Sequence, residues 1–321
     1  MTIILPKNYH AREALTEGRV VCIEPETAER QDIRPLRIGV LNVMPMVETY
    51  ELALLHPLGR SIIQIEPVWI RLESHSYKSS DAHHLDELYV TFAEATRDAE
   101  LDGLIITGAP VEELAYEDVR YWVELKEILK HSRHHVPSTL GICWGGMALG
   151  YLLGCRKVML DRKLFGVYSL QSLRRDHRIT GDTDDIFSCP QSRHASVSDA
   201  DLEEAARSGA VALLAYSPEV GYSIFESEDQ RYIAHLGHPE YEPERLIHEY
   251  ERDQAKGRTD VGPPAGLDLT RPANTWRSHR NEFFLQWVKS IYDVVSFDTL
   301  GVGVSASSLP RASSRSPTVP K

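Results

Sequence analysis

The chain lacks the cysteine pairing that marks a protein held together by metal or disulfides. Its four cysteines, Cys22, Cys143, Cys155 and Cys189, are scattered, with no C-x-x-C among them. Their spacing indicates neither a zinc site nor a disulfide framework. Three of the four are expected to be small buried hydrophobes. Basic residues are also short. Lys and Arg number 35 against 47 Asp and Glu, a formal net charge of −12. Such a surface argues against non-specific binding to nucleic acid or anionic lipid, while leaving room for a local basic pocket. No apolar run approaches the ~20 residues of a membrane span. The opening residues, MTIILPKNYHAREALTEG, lack a basic segment followed by a long apolar one. No signal peptide is read, and the expected compartment is the cytoplasm. Internal repeats are missing too.

What remains is ordinary globular material: 321 residues, 42% hydrophobic and 26% charged, with ample chain for a core. Residues 1–35 read as a polar N-terminal arm without clear periodicity. Residues 36–43 are apolar and β-branched, a buried strand. Residues 47–58 suit a helix and 61–70 a strand. Residues 83–98 have helical spacing, with Leu85, Leu88, Phe92 and Ala95 on one face. Residues 102–107 suit a third strand and 116–133 a charged helix. Strand and helix alternate, which predicts an α/β fold with a mostly parallel sheet flanked by helices. Ligands of such sheets bind beyond the carboxyl ends of the strands. From 164 to about 236 short strand-like runs take over, with one helix at 199–209. Helices at 242–256 and 274–293 close a domain spanning 36–295. Residues 296–321, rich in Ser and Pro, read as a disordered tail.

Two segments carry chemistry. Gly141-Ile142-Cys143-Trp144-Gly145 stands where a short strand runs into a helix. It is the cysteine version of the G-x-S-x-G elbow. The glycines admit a tight turn. The helix start favours a thiolate on Cys143, and the Trp144 backbone N–H can face an oxyanion. The bland alternative is a buried cysteine beside a glycine turn. The second segment is Gly237-His238-Pro239-Glu240. In an extended chain His238 and Glu240 share a side. A histidine can take a cysteine's proton, and a carboxylate can orient the histidine. His235 is a rival base in a different register.

These segments, with Gln31-Asp32-Ile33-Arg34-Pro35-Leu36-Arg37-Ile38, Thr107-Gly108-Ala109-Pro110, Pro190-Gln191-Ser192-Arg193 and Trp276-Arg277-Ser278-His279, resemble the homoserine O-acyltransferase family. The matches keep one order over about residues 1–295. The resemblance implies a class I glutamine-amidotransferase-like (flavodoxin-like) fold. It implies acyl transfer from an acyl-CoA, through a thioester on Cys143, to an amino-acid hydroxyl, with His238 as base and Glu240 supporting it. It places substrate contacts on Lys163, Ser192 and Arg252, the arginine suiting an α-carboxylate. It puts the position that sorts acyl donors on Glu112. Glutamate there resembles the acetyl-CoA users, and a like charge would oppose a succinyl carboxylate. The other reading of Glu112 is a helix-capping residue. A homodimer is a further expectation from the family.

One stretch departs from the family pattern. Met44-Pro45-Met46-Val47-Glu48-Thr49-Tyr50-Glu51 is shorter than usual and lacks a lysine. L-serine therefore stays open as acceptor beside L-homoserine. The expected chemistry is ping-pong, with acetyl-CoA as co-substrate and no metal or redox cofactor. Rival readings are a glutamine amidotransferase and a catalytically silent regulatory protein on the same fold.

Overall fold

Apolar runs covered on both faces become the parallel centre of the molecule. The computed structural model describes residues 2–295. Its strands are β1 (Thr2–Ile4), β2 (Val21–Ile23), β3 (Leu36–Leu41), β4 (Ile65–Arg71), β5 (Tyr89–Thr91), β6 (Gly103–Ile106), β7 (Ser138–Ile142), β8 (Lys157–Ser172), β9 (Ile186–Val197), β10 (Val211–Ser217), β11 (Gly221–Ser227) and β12 (Tyr232–His235). They form one sheet in the order β2-β1-β4-β3-β6-β7-β12-β11-β10-β8-β9, with β5 beside β4. Pairings from β2 through β12 are parallel. Those from β12 to β9 are antiparallel. The antiparallel strands β8 to β11 come from the stretch of strand-like runs, and β12, the last of those runs, joins them to the parallel part. A strand buried along its whole length, such as β6, reads as a continuous apolar run instead of an alternating one.

The helices are α1 (Arg12–Glu17), α2 (Pro25–Ala28), α3 (Val47–Leu58), α4 (Ala82–Leu88), α5 (Phe92–Ala95), α6 (Trp122–His135), α7 (Trp144–Leu152), α8 (Asp199–Arg207), α9 (Pro243–Ala255) and α10 (Arg277–Tyr292). The carboxyl ends of β6, β7 and β12 meet at one edge. The candidate residues Cys143, His238 and Glu240 sit there.

Three expectations change. The segment expected as a polar arm carries β1 and β2, because Ile3, Ile4 and Leu5 are buried against the sheet. The single helix expected over 83–98 is broken. Tyr89, Val90 and Thr91 pair with β4 as β5, and Thr91 then caps α5 with Glu94 in a reciprocal pair of hydrogen bonds. The helix expected over 116–133 is a 3-10 turn at Tyr116–Asp118 followed by α6. The tail call at 296–321 lies outside the described residues.

Candidate active site

Cys143 occupies the corner between β7 and α7 with φ 51° and ψ −113°. A left-handed φ on a residue with a side chain costs about 1–3 kcal/mol and must be held by its surroundings. The glycines around it make that possible. A Cβ on Gly141 would lie 2.5 Å from the Gly145 carbonyl oxygen, and one on Gly145 would lie 2.4 Å from that of Ile106. The Cys143 N–H donates to the His235 carbonyl at 2.9 Å, and its own carbonyl accepts from the Met147 N–H at 3.0 Å. Trp144 is the first residue of α7, where backbone N–H groups have no partner within the helix. Its indole is fully buried against Tyr121 and Trp122, which fixes the elbow from behind.

His238 and Glu240 lie beyond the end of β12, in a turn where the Tyr241 N–H donates to the His238 carbonyl at 3.2 Å. They meet through that turn and not through strand alternation, which corrects the reason given above. His238 Nδ1 is 2.7 Å from Glu240 Oε1. Its ring stacks on Tyr241 with centroids 4.1 Å apart. A Cβ on Gly108 would lie 3.3 Å from His238 Cε1 and 3.4 Å from Cys143 Cβ, so both side chains converge on that glycine. Burial alone would push the His238 imidazolium down. The Cys143 sulfur and the Glu240 carboxylate outweigh it and raise His238 well above its ordinary value. Cys143, His238 and Glu240 thus come together, with Cys143 and His238 both nearly sealed.

The rival His235 is committed elsewhere. Its Nδ1 accepts from the Gly237 N–H at 3.2 Å, and its Nε2 faces His279 Nε2 at 3.3 Å. Burial and the neighbouring His279 hold it well below the ordinary value.

Lys163, Ser192 and Arg252 gather around two acids that sequence reasoning missed. Ser192 Oγ donates to Glu249 Oε2 at 2.5 Å. Lys163 Nζ donates to Asp253 Oδ2 at 2.9 Å and lies 3.7 Å from Glu249. Arg252 pairs with Asp253 at 2.7 Å, with its side chain 45% exposed. Burial would raise the Glu249 carboxyl, but Lys163 and the Ser192 hydroxyl hold it low. The available signal was the i,i+4 spacing of Glu249 and Asp253 on the inward face of α9. Tyr50, on α3, was missed as well. Its hydroxyl donates to Glu240 Oε1 at 2.5 Å, so the segment that departs from the family pattern reaches the carboxylate paired with His238.

Glu112 follows β6 and does not cap a helix. Its Oε1 accepts from the His194 N–H at 3.1 Å, and Lys157 Nζ donates to its backbone carbonyl at 2.8 Å. Burial pushes its carboxyl up; the His194 amide, His238 and Lys163 pull the other way. Cys155 and Cys189 are buried, as expected, whereas Cys22 is only partly so.

A mostly parallel sheet with a cysteine elbow and a His-x-Glu turn at its carboxyl edge defines a class I glutamine-amidotransferase-like fold. A glutamine amidotransferase from Thermotoga maritima superposes with a TM-score of 0.51 at 13% identity, covering 81% of this chain and 97% of that one. The chain belongs to the homoserine O-succinyltransferase family, whose model matches residues 2–297, and it is an acyltransferase. A Geobacillus kaustophilus protein named homoserine O-acetyltransferase is 40% identical over 293 residues, 90% of this chain and 96% of that protein. One of the same name from Ruegeria sp. (strain TM1040) is 38% identical over 315 residues, 96% of this chain and 99% of that one.

Proposed function

We propose that the protein moves acetyl from acetyl-CoA, through a thioester on Cys143, to the hydroxyl of L-homoserine, a step of methionine biosynthesis. The observation that carries the reading is the convergence of Cys143, His238 and Glu240 at the sheet's carboxyl edge. The Cys143 thiolate attacks the acetyl carbonyl, and the negative charge on its oxygen faces the Trp144 N–H. The carbon–sulfur bond to CoA breaks, and the His238 imidazolium returns a proton to the leaving thiolate. The acceptor then enters beside Glu249 and Asp253, where Lys163, Ser192 and Arg252 hold its polar ends. His238 takes the hydroxyl proton, the alkoxide attacks the thioester, and Cys143 leaves as thiolate. Burial of the sulfur keeps water from the acetyl-enzyme. No metal or redox cofactor enters this sequence. A homodimer and a cytoplasmic location belong to the same reading. Among the described residues no helix is long and apolar enough to cross a membrane.

Acetyl is favoured over succinyl by Glu112, anchored on the His194 amide and electrostatically within reach of His238 and Lys163. A second carboxylate there meets like charge. Glu112→Gly should move the ratio of kcat/KM for acetyl-CoA over succinyl-CoA toward succinyl by roughly ten-fold to a few hundred-fold. An unchanged ratio removes Glu112 from donor choice. L-serine is the second reading for the acceptor, because Tyr50 brings the departing segment onto Glu240. Acetyl-CoA consumption with L-homoserine and with L-serine, assayed separately, decides between them.

A further inference from the structure

We propose that His10, Glu51 and His84 bind a divalent transition-metal ion of borderline softness, with Zn²⁺ as the reference case. Two imidazoles and one carboxylate are a donor set that suits such ions. Glu51 lies on α3 with its carboxylate fully buried. Its Oε1 accepts from the Tyr89 hydroxyl at 2.8 Å and sits 2.7 Å from His84 Nε2. Its Oε2 accepts from the Tyr9 hydroxyl and sits 3.8 Å from His10 Nδ1. His10 Nε2 is 3.1 Å from the Glu48 carbonyl oxygen, which can only accept. In the neutral ring Nε2 therefore carries the proton, which leaves the Nδ1 lone pair free 3.8 Å from Glu51 Oε2. A metal ion between the two atoms would serve both.

The dimensions suit an ion. The three donor atoms lie within 4.8 Å of one another. Zinc bonds of about 2.0–2.2 Å place tetrahedral donors roughly 3.3–3.6 Å apart. Small rotations of the partly exposed His10 and of His84 reach that spacing. The two tyrosine hydroxyls fix the carboxylate from behind, as outer partners of metal ligands do. A groove of about 360 Å³ opens beside His10 and His84, and Glu48, Asp81 and Glu87 line it. It leaves a fourth position to water and gathers cations. Among the described residues two other clusters could hold metals but are less suited. Cys189, His235 and His279 are sealed, and their facing nitrogens already serve each other and Gly237. Glu100, His131 and His135 lie toward the surface, with the two imidazole rings stacked. The proposed ion would staple the N-terminal segment and α4 onto α3, the helix that supplies Tyr50 to Glu240. It takes no part in acyl transfer.

The test uses the full-length protein stripped with a chelator and dialysed. Calorimetric titration with Zn²⁺ should show one ion per chain and a raised Tm. Co²⁺ should give visible d–d absorption. His10→Ala and His84→Ala should each abolish stoichiometric binding. Tyr9→Phe should weaken it about 10- to 100-fold. His10 is partly exposed, so its variant is expected to fold, and acetyl-CoA labelling of Cys143 checks that it has. No stoichiometric binding by the wild type overturns the proposal. So does binding that survives both histidine variants, or binding lost only in Cys189→Ala.

Discussion

His238 and His235 stand three residues apart, both deeply buried, each near a cysteine, and they are driven in opposite directions. His238 has a carboxylate at 2.7 Å and the Cys143 sulfur beside it, and it is raised. His235 has another imidazole and the edge of Phe283, and it is lowered. Burial is common to both. It disfavours the charged ring unless an opposite charge is supplied. A buried histidine becomes a base for a cysteine only when a carboxylate is placed to receive the charge. Without one it becomes neutral packing. The cysteines follow suit: Cys143 sits at a strained helix start, and Cys189 has its thiol pushed well up by burial.

The largest effect expected from that contrast lies on the sulfurs. Acetyl-CoA without acceptor should add one acetyl group to the wild type by intact mass. Cys143→Ala should show no such addition, and Cys189→Ala should label normally. Labelling that survives Cys143→Ala would place the nucleophile elsewhere. The histidines come next. His238→Ala should cost about 100- to 10,000-fold in kcat/KM, the range for loss of a general base. His235→Gln, which keeps a neutral hydrogen-bonding side chain, should fall well short of ~100-fold. A reversed order would make His235 the base.

The pairing of His238 with Glu240 was legible in the sequence, though for a different reason from the one the fold supplies. The elbow was readable because its demand is local: only glycine fits at 141 and 145 against neighbouring backbone. The parallel-to-antiparallel sheet followed from apolar runs. His238 and Glu240 were chosen by strand parity, yet a turn beyond β12 brings them together. Helical spacing at 83–98 was real, but pairing with β4 won over Tyr89–Thr91. Lys163, Ser192, Arg252 and Glu112 came from family resemblance alone. Tyr50, Glu249 and Asp253 act through partners distant in sequence, Tyr50 lying 190 positions from Glu240, and no local pattern reports such contacts. The His10, Glu51 and His84 cluster was hidden for the same reason. Cysteine spacing cannot reveal a cluster of two histidines and a glutamate on three separate segments.

Tyr50 sharpens the contrast from the carboxylate side. Its hydroxyl and His238 share Glu240 Oε1, so the tyrosine helps decide where the carboxylate points. A hydrogen bond to a charged group is worth about 1.5–3 kcal/mol. If about half of that is expressed in the transition state, Tyr50→Phe should lower kcat by about 4- to 13-fold, with KM for acetyl-CoA little changed. The pH–rate profile should shift with it, because the base's orienter has lost a donor. A KM effect alone would mean that Tyr50 serves the acceptor pocket instead.

The smallest effect concerns stability, and its sign separates the two histidines. His235 and His279 are neutral in the fold, with His279 lowered by burial to about 3. Above pH about 6.5, the ordinary imidazole value, neither the folded nor the unfolded chain adds a proton there, and the pair costs nothing. Below it the unfolded chain binds protons that the folded pair refuses, so stability falls as pH drops from about 6.5 toward the folded values. His238 behaves oppositely. Its raised folded value gives stability that is full below about 6.5 and is lost as pH rises through that folded value. Each histidine held neutral contributes a slope of about 1.4 kcal/mol per pH unit. Most carboxylates titrate below about pH 4.5, so the interval from there to 6.5 isolates the imidazoles. His279→Gln keeps a polar partner for His235 and removes one titrating ring. Denaturant unfolding measured across that interval should therefore give a shallower loss in the variant, by about one histidine's share. Parallel curves for wild type and variant would mean that His279 accepts its proton in the folded state and that the sealed pair is not held neutral by burial.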